Sequence, residues 1–226
     1  MSSIVSKSSW DPVWEEVFQK QEWGKYPPEH VIRFVVRNWG KTPQRDAVRL
    51  LDLGCGPGAC TWYMTREGFS VSAIDGSPTA IDRLVKRLAA ENLKAETVVR
   101  SYEQLPWADE IFDGVVDNVS LCCNRFAKCK QVVAEAARTL KPGGRFCSAN
   151  FTPRTWGYGL GDLVEPNAFT NISEGPLAGK GFSLFMSREQ IDELYAPFSE
   201  VDIETLSYTV GGMTHLIELW VVNCKK

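Results

Sequence analysis

Val48-Arg-Leu-Leu-Asp-Leu-Gly-Cys-Gly-Pro-Gly-Ala59 decides the fold. A run of apolar residues leads into a turn with three glycines, Gly54, Gly56 and Gly58, and then into a helical pattern. Strand, glycine turn and helix in that order make a ligand cradle: glycine lets the backbone turn tightly and come close to a bound group, and the helix start presents unpaired N–H groups. Taken alone the turn is ambiguous, because Gly54-x-Gly56-x-x-Ala59 also fits the fingerprint of dinucleotide-binding domains.

Asp52, two residues before the first glycine, discriminates. A carboxylate beside a pyrophosphate would oppose it, whereas it suits a ligand with a positive group, such as the ammonium of S-adenosylmethionine. Leu51-Asp-Leu-Gly-Cys-Gly-Pro-Gly58 resembles the first motif of class I S-adenosylmethionine-dependent methyltransferases, hydrophobic-(D/E)-x-G-x-G-x-G.

The rest of the chain agrees with an alternating α/β domain. Strands are predicted at about 47–53, 70–75, 95–100, 112–118 and 144–151, and helices at about 59–67, 78–91 and 125–140, with Lys141-Pro-Gly-Gly144 stopping the last. Ahead of them stand a Ser-rich stretch of nine residues, expected to be loose, and two helices. The first begins at Asp11-Pro12, with Val13, Trp14, Val17 and Phe18 on one face, and the second runs from about Glu29 to Trp39. Residues 153–184 hold six glycines and little periodicity, so a long loop is expected there. Ser187 and Gln190 mark a capping box, and strands at about 200–210 and 214–224 form a hairpin around Gly211-Gly212.

The resemblance implies a Rossmann-like, mostly parallel sheet of seven strands in the order 3-2-1-4-5-7-6, strand 7 antiparallel. Residues 1–44 would form an N-terminal helical cap and 45–226 the S-adenosylmethionine-binding domain, with the 153–184 loop over the acceptor site.

Asp75 ends the second strand, 21 residues after Gly54, where a carboxylate accepts hydrogen bonds from ribose hydroxyls. Ala73-Ile-Asp-Gly-Ser-Pro78 resembles the second motif of the family, which brings in Gly76 and Ser77. Arg100-Ser-Tyr-Glu-Gln-Leu-Pro106 aligns with the third, but Ser101 stands where the family has an Asp for the adenine amino group, and Tyr102 where it has a small residue. A serine hydroxyl still serves as a hydrogen-bond partner and a tyrosine ring can stack on adenine. The resemblance further implies cofactor contacts from Cys55, Asn118 and Val119, and from Trp23 and Tyr26 in Gln21-Glu-Trp-Gly-Lys-Tyr-Pro-Pro28 as part of a lid. Asp117 at the end of the fourth strand, with Trp156 and Tyr158 in the long loop, are candidates for the acceptor pocket. His215 is the candidate general base, with His30 the other histidine. Each also has a structural reading, as packing or a satisfied hydrogen bond.

The 226 residues suit one domain with small additions. Net charge is −3 and the basic residues are dispersed, which argues against a nucleic-acid surface. The densest basic set, Arg83, Lys86 and Arg87, reads as a solvated helix face. Asp117-Asn-Val-Ser120 is not the N/D-P-P-Y/F/W motif of amino-methylating nucleic-acid enzymes, and Cys122-Cys123, read as packing, lacks the Pro-Cys of cytosine C5 enzymes. A small-molecule acceptor is expected, at O or N rather than C or S. Seven cysteines without a C-x-x-C pair, and two histidines, suggest reduced thiols in the cytoplasm and no metal site. No apolar run reaches the ~20 residues that span a membrane. Oligomeric state is not legible.

Methyl transfer from a sulfonium releases a neutral sulfide, so it needs alignment more than acid catalysis, and the absence of a strong catalytic signature is consistent with that. Three other readings stay open. A dehydrogenase shares the fold but would favour a Tyr-x-x-x-Lys pair over Asp52. A nucleic-acid or protein methylase would bring a basic patch and salt-dependent binding. A silent cofactor-binding subunit would bind without turnover.

Overall fold

The computed structural model describes residues 10–226. The expectation for the first nine residues, part of the proposed cap, lies outside the described residues.

The chain opens with α1 (Val13–Lys20) and α2 (Glu29–Trp39), then alternates β1 (Arg49–Leu53), α3 (Ala59–Arg66), β2 (Ser70–Asp75), α4 (Pro78–Ala90), β3 (Glu96–Val99), β4 (Phe112–Asn118), α5 (Phe126–Thr139) and β5 (Leu140–Phe151). Three short strands follow, β6 (Asp162–Glu165), β7 (Ala168–Thr170) and β8 (Ser183–Leu184), then α6 (Arg188–Tyr195) and the hairpin β9 (Glu200–Val210) and β10 (His215–Lys225). The main sheet has the order β3-β2-β1-β4-β5-β10-β9. β10 runs antiparallel between β5 and β9, and the remaining neighbours are parallel. This is the seven-stranded order implied by the resemblance, with β10 as its strand 7.

Side chains alternate across a strand, and β1 shows what that does here. Leu51 and Leu53 enter a core with Val132, Val133 and Ala136 of α5 and Leu194 and Tyr195 of α6. Leu50 enters the opposite core with Val31, Phe34 and Val35 of α2 and Met64 of α3. α4 closes the same side over β2, packing Ile81, Leu84 and Leu88 around Ala73. All three leucines of β1 are fully buried, each worth ~1.5–3 kcal/mol of apolar burial. Asp52, the one polar residue among them, shares the Leu50 parity and so points toward α3.

Two sequence expectations change. β5 begins at Leu140 instead of 144, and the Lys141–Gly144 segment is an irregularity inside it, where the register against β4 jumps from Phe112–Leu140 to Gly114–Arg145. Residues 153–184 are not a bare loop, since they contain the β6-β7-β8 antiparallel sheet. That sheet packs Phe169, with Phe185 just beyond it, against Phe151, Ile217 and Leu219. Its strands are two to four residues long, too short for periodicity to register. All seven cysteines are unpaired thiols.

Candidate active site

The carboxyl ends of β1, β2 and β4 open into a cleft of about 310 Å³, the place where open α/β sheets hold ligands. Its floor comes from the glycine turn. Gly54 has φ +66° and an added Cβ would stand 2.3 Å from the Ser120 Cβ, so no other residue fits without displacing the β4 rim. Gly58, at φ +84°, precedes α3, and an added Cβ would strike Leu84 of α4 at 2.2 Å. The turn is therefore pressed against both its neighbours.

Two buried carboxylates line the cleft. Asp75 accepts the Gly56 N–H on Oδ2 and the Ser77 N–H on Oδ1, both at 2.8 Å. These two bonds fix the carboxylate plane and leave further lone pairs for a ligand. Asp52 takes the Thr61 hydroxyl on Oδ2 at 2.5 Å. Burial pushes the Asp52 carboxyl up to about 7, against the Thr61 hydrogen bond, and the nearby Asp75 and Asp117 charges add to the rise. Burial likewise raises Asp75 to about 6, offset in part by the backbone N–H groups of Ser77 and Gly56. Neither carboxylate has an ion-pair partner among the described residues, and Lys180 is the only cation among those lining the cleft.

At the β4 rim, Val119 adopts φ +62°, a conformation rare for a β-branched residue and one that stores roughly 1–3 kcal/mol. Asn118, just before it, lines the cleft, and its Oδ1 meets His30 Nε2 at 3.1 Å. Burial lowers the His30 pKa, so the ring is neutral and buttresses Asn118 from behind. Tyr102 is buried against the cleft, donating its hydroxyl to the Ser120 carbonyl at 3.1 Å and accepting from Asn124 Nδ2 at 2.9 Å.

α1 roofs the cleft with Trp14 and Phe18, flanked by Trp10 and Trp23. Trp23 meets Trp14 and Phe18 edge-on, at 5.9 and 5.4 Å. The roof is clasped on two sides. Glu15 accepts hydrogen bonds from the hydroxyls of Ser77 and Thr79 at the start of α4. These outweigh the effect of burial and hold its carboxyl below the ordinary value. On the far side Lys180 Nζ donates to Gln21 Oε1 at 2.8 Å. Arg83 and Arg87, expected as a solvated face, instead donate to the Gln21 and Lys25 carbonyls, and Arg87 also lies 4.3 Å over the Trp62 ring.

The cleft thus brings together Trp23, Asp52, Gly54, Cys55, Gly56, Asp75, Tyr102, Asn118 and Val119 of the residues singled out from sequence. The others lie elsewhere. Gly76 packs beneath Trp10, where a Cβ would stand 2.3 Å from the ring, and Ser77 is buried as the α4 N-cap, accepting from Ala80 N. Ser101 donates to Glu103 and accepts from Lys128. Tyr26 is 74% exposed and lies edge-on to Trp62, outside the roof.

Asp117 is fully buried, accepting from Ser120 N, Ser120 Oγ and Ser148 Oγ at 3.0, 2.5 and 2.6 Å. It pins the turn after β4 and does not reach the cleft, because strand alternation sends it away from Asn118. His215 stacks on Trp156 at 3.9 Å and 11°. β10 is separated from β1 by β5 and β4, so its first residue falls outside the cleft although it lies at the same rim. Trp156 donates to Glu174, and Tyr158 donates to Asn167 while packing on Phe169 and Phe185. Sequence reasoning missed Trp14 and Phe18, whose helical spacing reads as core, and Cys123, Asn124, Phe151, Leu177 and Lys180, for which no local signal exists.

Another hollow, of about 390 Å³, lies between α2 and the β9–β10 ribbon, toward the amino end of β9. It mixes Arg33, Arg37 and Arg145 with Glu29, Glu200, Asp202 and Glu204, and has no glycine turn.

A family profile described as a methyltransferase domain matches residues 50–144, from β1 through the start of β5. An uncharacterised methyltransferase of Synechocystis is 34% identical over 164 residues, 62% of this chain and 75% of that protein. The chain belongs to the class I S-adenosylmethionine-dependent methyltransferases. A malonyl-[acyl-carrier protein] O-methyltransferase of Enterobacter lignolyticus is 30% identical over 190 residues, 78% of this chain and 69% of that methyltransferase. Among solved structures, a methyltransferase from Methanosarcina mazei superposes with a TM-score of 0.66 at 22% identity, covering 79% of this chain and 92% of its own, which attests the shared fold.

Proposed function

We propose that this methyltransferase binds S-adenosylmethionine in the β1-β2-β4 cleft and methylates a small-molecule acceptor, at oxygen or nitrogen. The observation that carries the reading is the pair of buried carboxylates, Asp52 and Asp75, without a cation beside them. Burying such groups unpaired is costly, and a ligand with an ammonium and a ribose diol answers both. Asp52 would take the ammonium and Asp75 the diol. Gly54 and Gly56 leave room for the ligand at the backbone, and Tyr102 would lie beside the adenosine.

When bound, S-adenosylmethionine supplies a methyl group activated for in-line displacement. The chain's own part is alignment and exclusion of water. Asn118, held by His30, and Val119 would flank the reacting end, while Trp14, Phe18 and Trp23 roof the cleft. In the proposed division, residues 1–44 form the cap and 45–226 the catalytic domain. Of the 153–184 segment only Pro176, Leu177 and Lys180 reach the cleft. A single lining cation gives no basic track for nucleic acid, and among the described residues no helix is long and apolar enough to cross a membrane. Action in the cytoplasm is part of the same proposal, consistent with the unpaired thiols.

Calorimetric titration with S-adenosylmethionine and, separately, NAD tests it. Micromolar binding of the first and none of the second is expected, and NAD binding alone would refute the assignment.

A further inference from the structure

Of the residues that line the cleft, Val119, Cys123, Phe151 and Leu177 pack in one apolar cluster that excludes the glycine turn, and Lys180 is tied to it by its backbone N–H, bonded to the Leu177 carbonyl at 3.1 Å. This part of the lining is apolar, with one exception. Lys180 stands there half-buried, its ammonium 5.2 Å over the Trp23 ring and bonded to the neutral amide of Gln21. It forms no ion pair with a carboxylate among the described residues. Burial pushes its pKa below the ordinary lysine value, and the nearby Cys123 thiol acts in the opposite direction.

A cation–π contact and a hydrogen bond to a neutral amide leave its charge uncompensated, so an anion entering the cleft beside it would gain a charge-assisted hydrogen bond. Resting on the cofactor reading above, we propose that Lys180 selects the acceptor: it pairs with a carboxylate on a small, mainly apolar or aromatic molecule whose body lies against Phe151, Leu177 and Trp23. This makes Lys180 a specificity-determining residue, supplied by a segment that the family match at residues 50–144 does not include.

The test uses the full-length protein saturated with S-adenosylhomocysteine. Benzoate, salicylate and indole-3-acetate are titrated into it by calorimetry beside their uncharged amides, in wild type, Lys180→Met and Lys180→Arg. At least one acid is expected to bind tenfold or more tightly than its amide in wild type. Lys180→Met should bring that ratio below twofold and Lys180→Arg should restore it, with far-ultraviolet circular dichroism unchanged in both and S-adenosylhomocysteine affinity in Lys180→Met lowered by no more than the few-fold that loss of one roof clasp costs.

Equal binding of acids and amides, binding of no acid, or a preference surviving in Lys180→Met would overturn the proposal. A tenfold loss of S-adenosylhomocysteine affinity in Lys180→Met would also overturn it, assigning the lysine to the cofactor's own carboxylate. If wild type fails to bind S-adenosylhomocysteine at all, the cofactor reading falls first and this one with it.

Discussion

Asp52 sets stability and ligand affinity against one another, and Asp52→Asn separates them. An aspartate whose pKa is 3.8 when unfolded and about 7 when buried binds its proton more tightly in the folded state. The folded protein therefore carries no penalty from it below pH ~4. The penalty grows as pH rises and levels off above pH 7, at on the order of 4 kcal/mol for about three pKa units. Asparagine keeps the shape and a hydrogen bond to Thr61 without the charge. At pH 8 the ligand-free variant should be more stable than wild type by up to about 4 kcal/mol, each kcal/mol raising Tm by roughly 2–4 °C in a chain this size. At pH 4.5, where about 1 kcal/mol of the penalty remains, the difference should shrink to roughly 2–4 °C.

Ligand binding should run the other way. The ammonium needs the ionised carboxylate, so wild-type affinity for S-adenosylhomocysteine should fall about tenfold per unit as pH drops below 7. The slope should steepen below pH 6, where Asp75 also protonates. The variant should bind ~10–100-fold more weakly at pH 8, the worth of a hydrogen bond to a charged group. Differential scanning calorimetry and titration calorimetry on both proteins give these numbers. A destabilised variant at pH 8, or wild-type affinity flat from pH 5.5 to 8, would refute the argument.

Four further outcomes are expected. Asp75→Ala should weaken S-adenosylmethionine binding more than tenfold in the same titration, and unchanged affinity would remove the ribose role. Gly54→Ala, forcing a Cβ against Ser120 at positive φ, should lower Tm and abolish measurable cofactor binding. Glu15→Ala unclasps the roof from α4 and should raise the S-adenosylhomocysteine Kd roughly 3- to 10-fold, a few hydrogen bonds of exposed charge being worth about 1 kcal/mol; stopped-flow tryptophan fluorescence should place the change in the dissociation rate. His215→Ala should leave kcat within about twofold, costing only its stacking on Trp156, ~0.5–1.5 kcal/mol of stability; a hundredfold loss of methyl transfer would put His215 back into the chemistry.

What the sequence made legible depended on how local the cause was. The β1 turn could be read because Asp52, Gly54, Gly56 and Gly58 are neighbours in the chain and their backbone demands are local. Asp75 and the capping box at Ser187 and Gln190 followed for the same reason. The order of the sheet came from alternation plus the family resemblance, not from any one strand. Residues joined only by tertiary contact were invisible: Lys180 reaches the cleft because Gln21 and Trp23 lie beside it, 157 or more positions away in the chain. Asp117 and His215 misled for a related reason. Strand alternation buried the first, and the position of β10 in the sheet removed the second. Trp14 and Phe18 read as core because an aromatic roof has the same helical spacing as a packed face.

The two clasps on α1 also bear on the order in which the molecule is assembled. Glu15 waits for Ser77 and Thr79, and Gln21 for Lys180, contacts 62 to 159 positions further along the chain. On a ribosome the roof emerges before the β1-β2-β4 floor and long before the 176–182 segment that holds its far side. An eight-residue helix is marginal by itself in water, so Trp14, Phe18 and Trp23 remain exposed for most of synthesis. Three aromatic side chains without a partner form a sticky segment, and it is the kind that holding chaperones engage. Closing the cleft is accordingly a late folding event, and a cofactor present at that moment would draw the final step to completion by mass action.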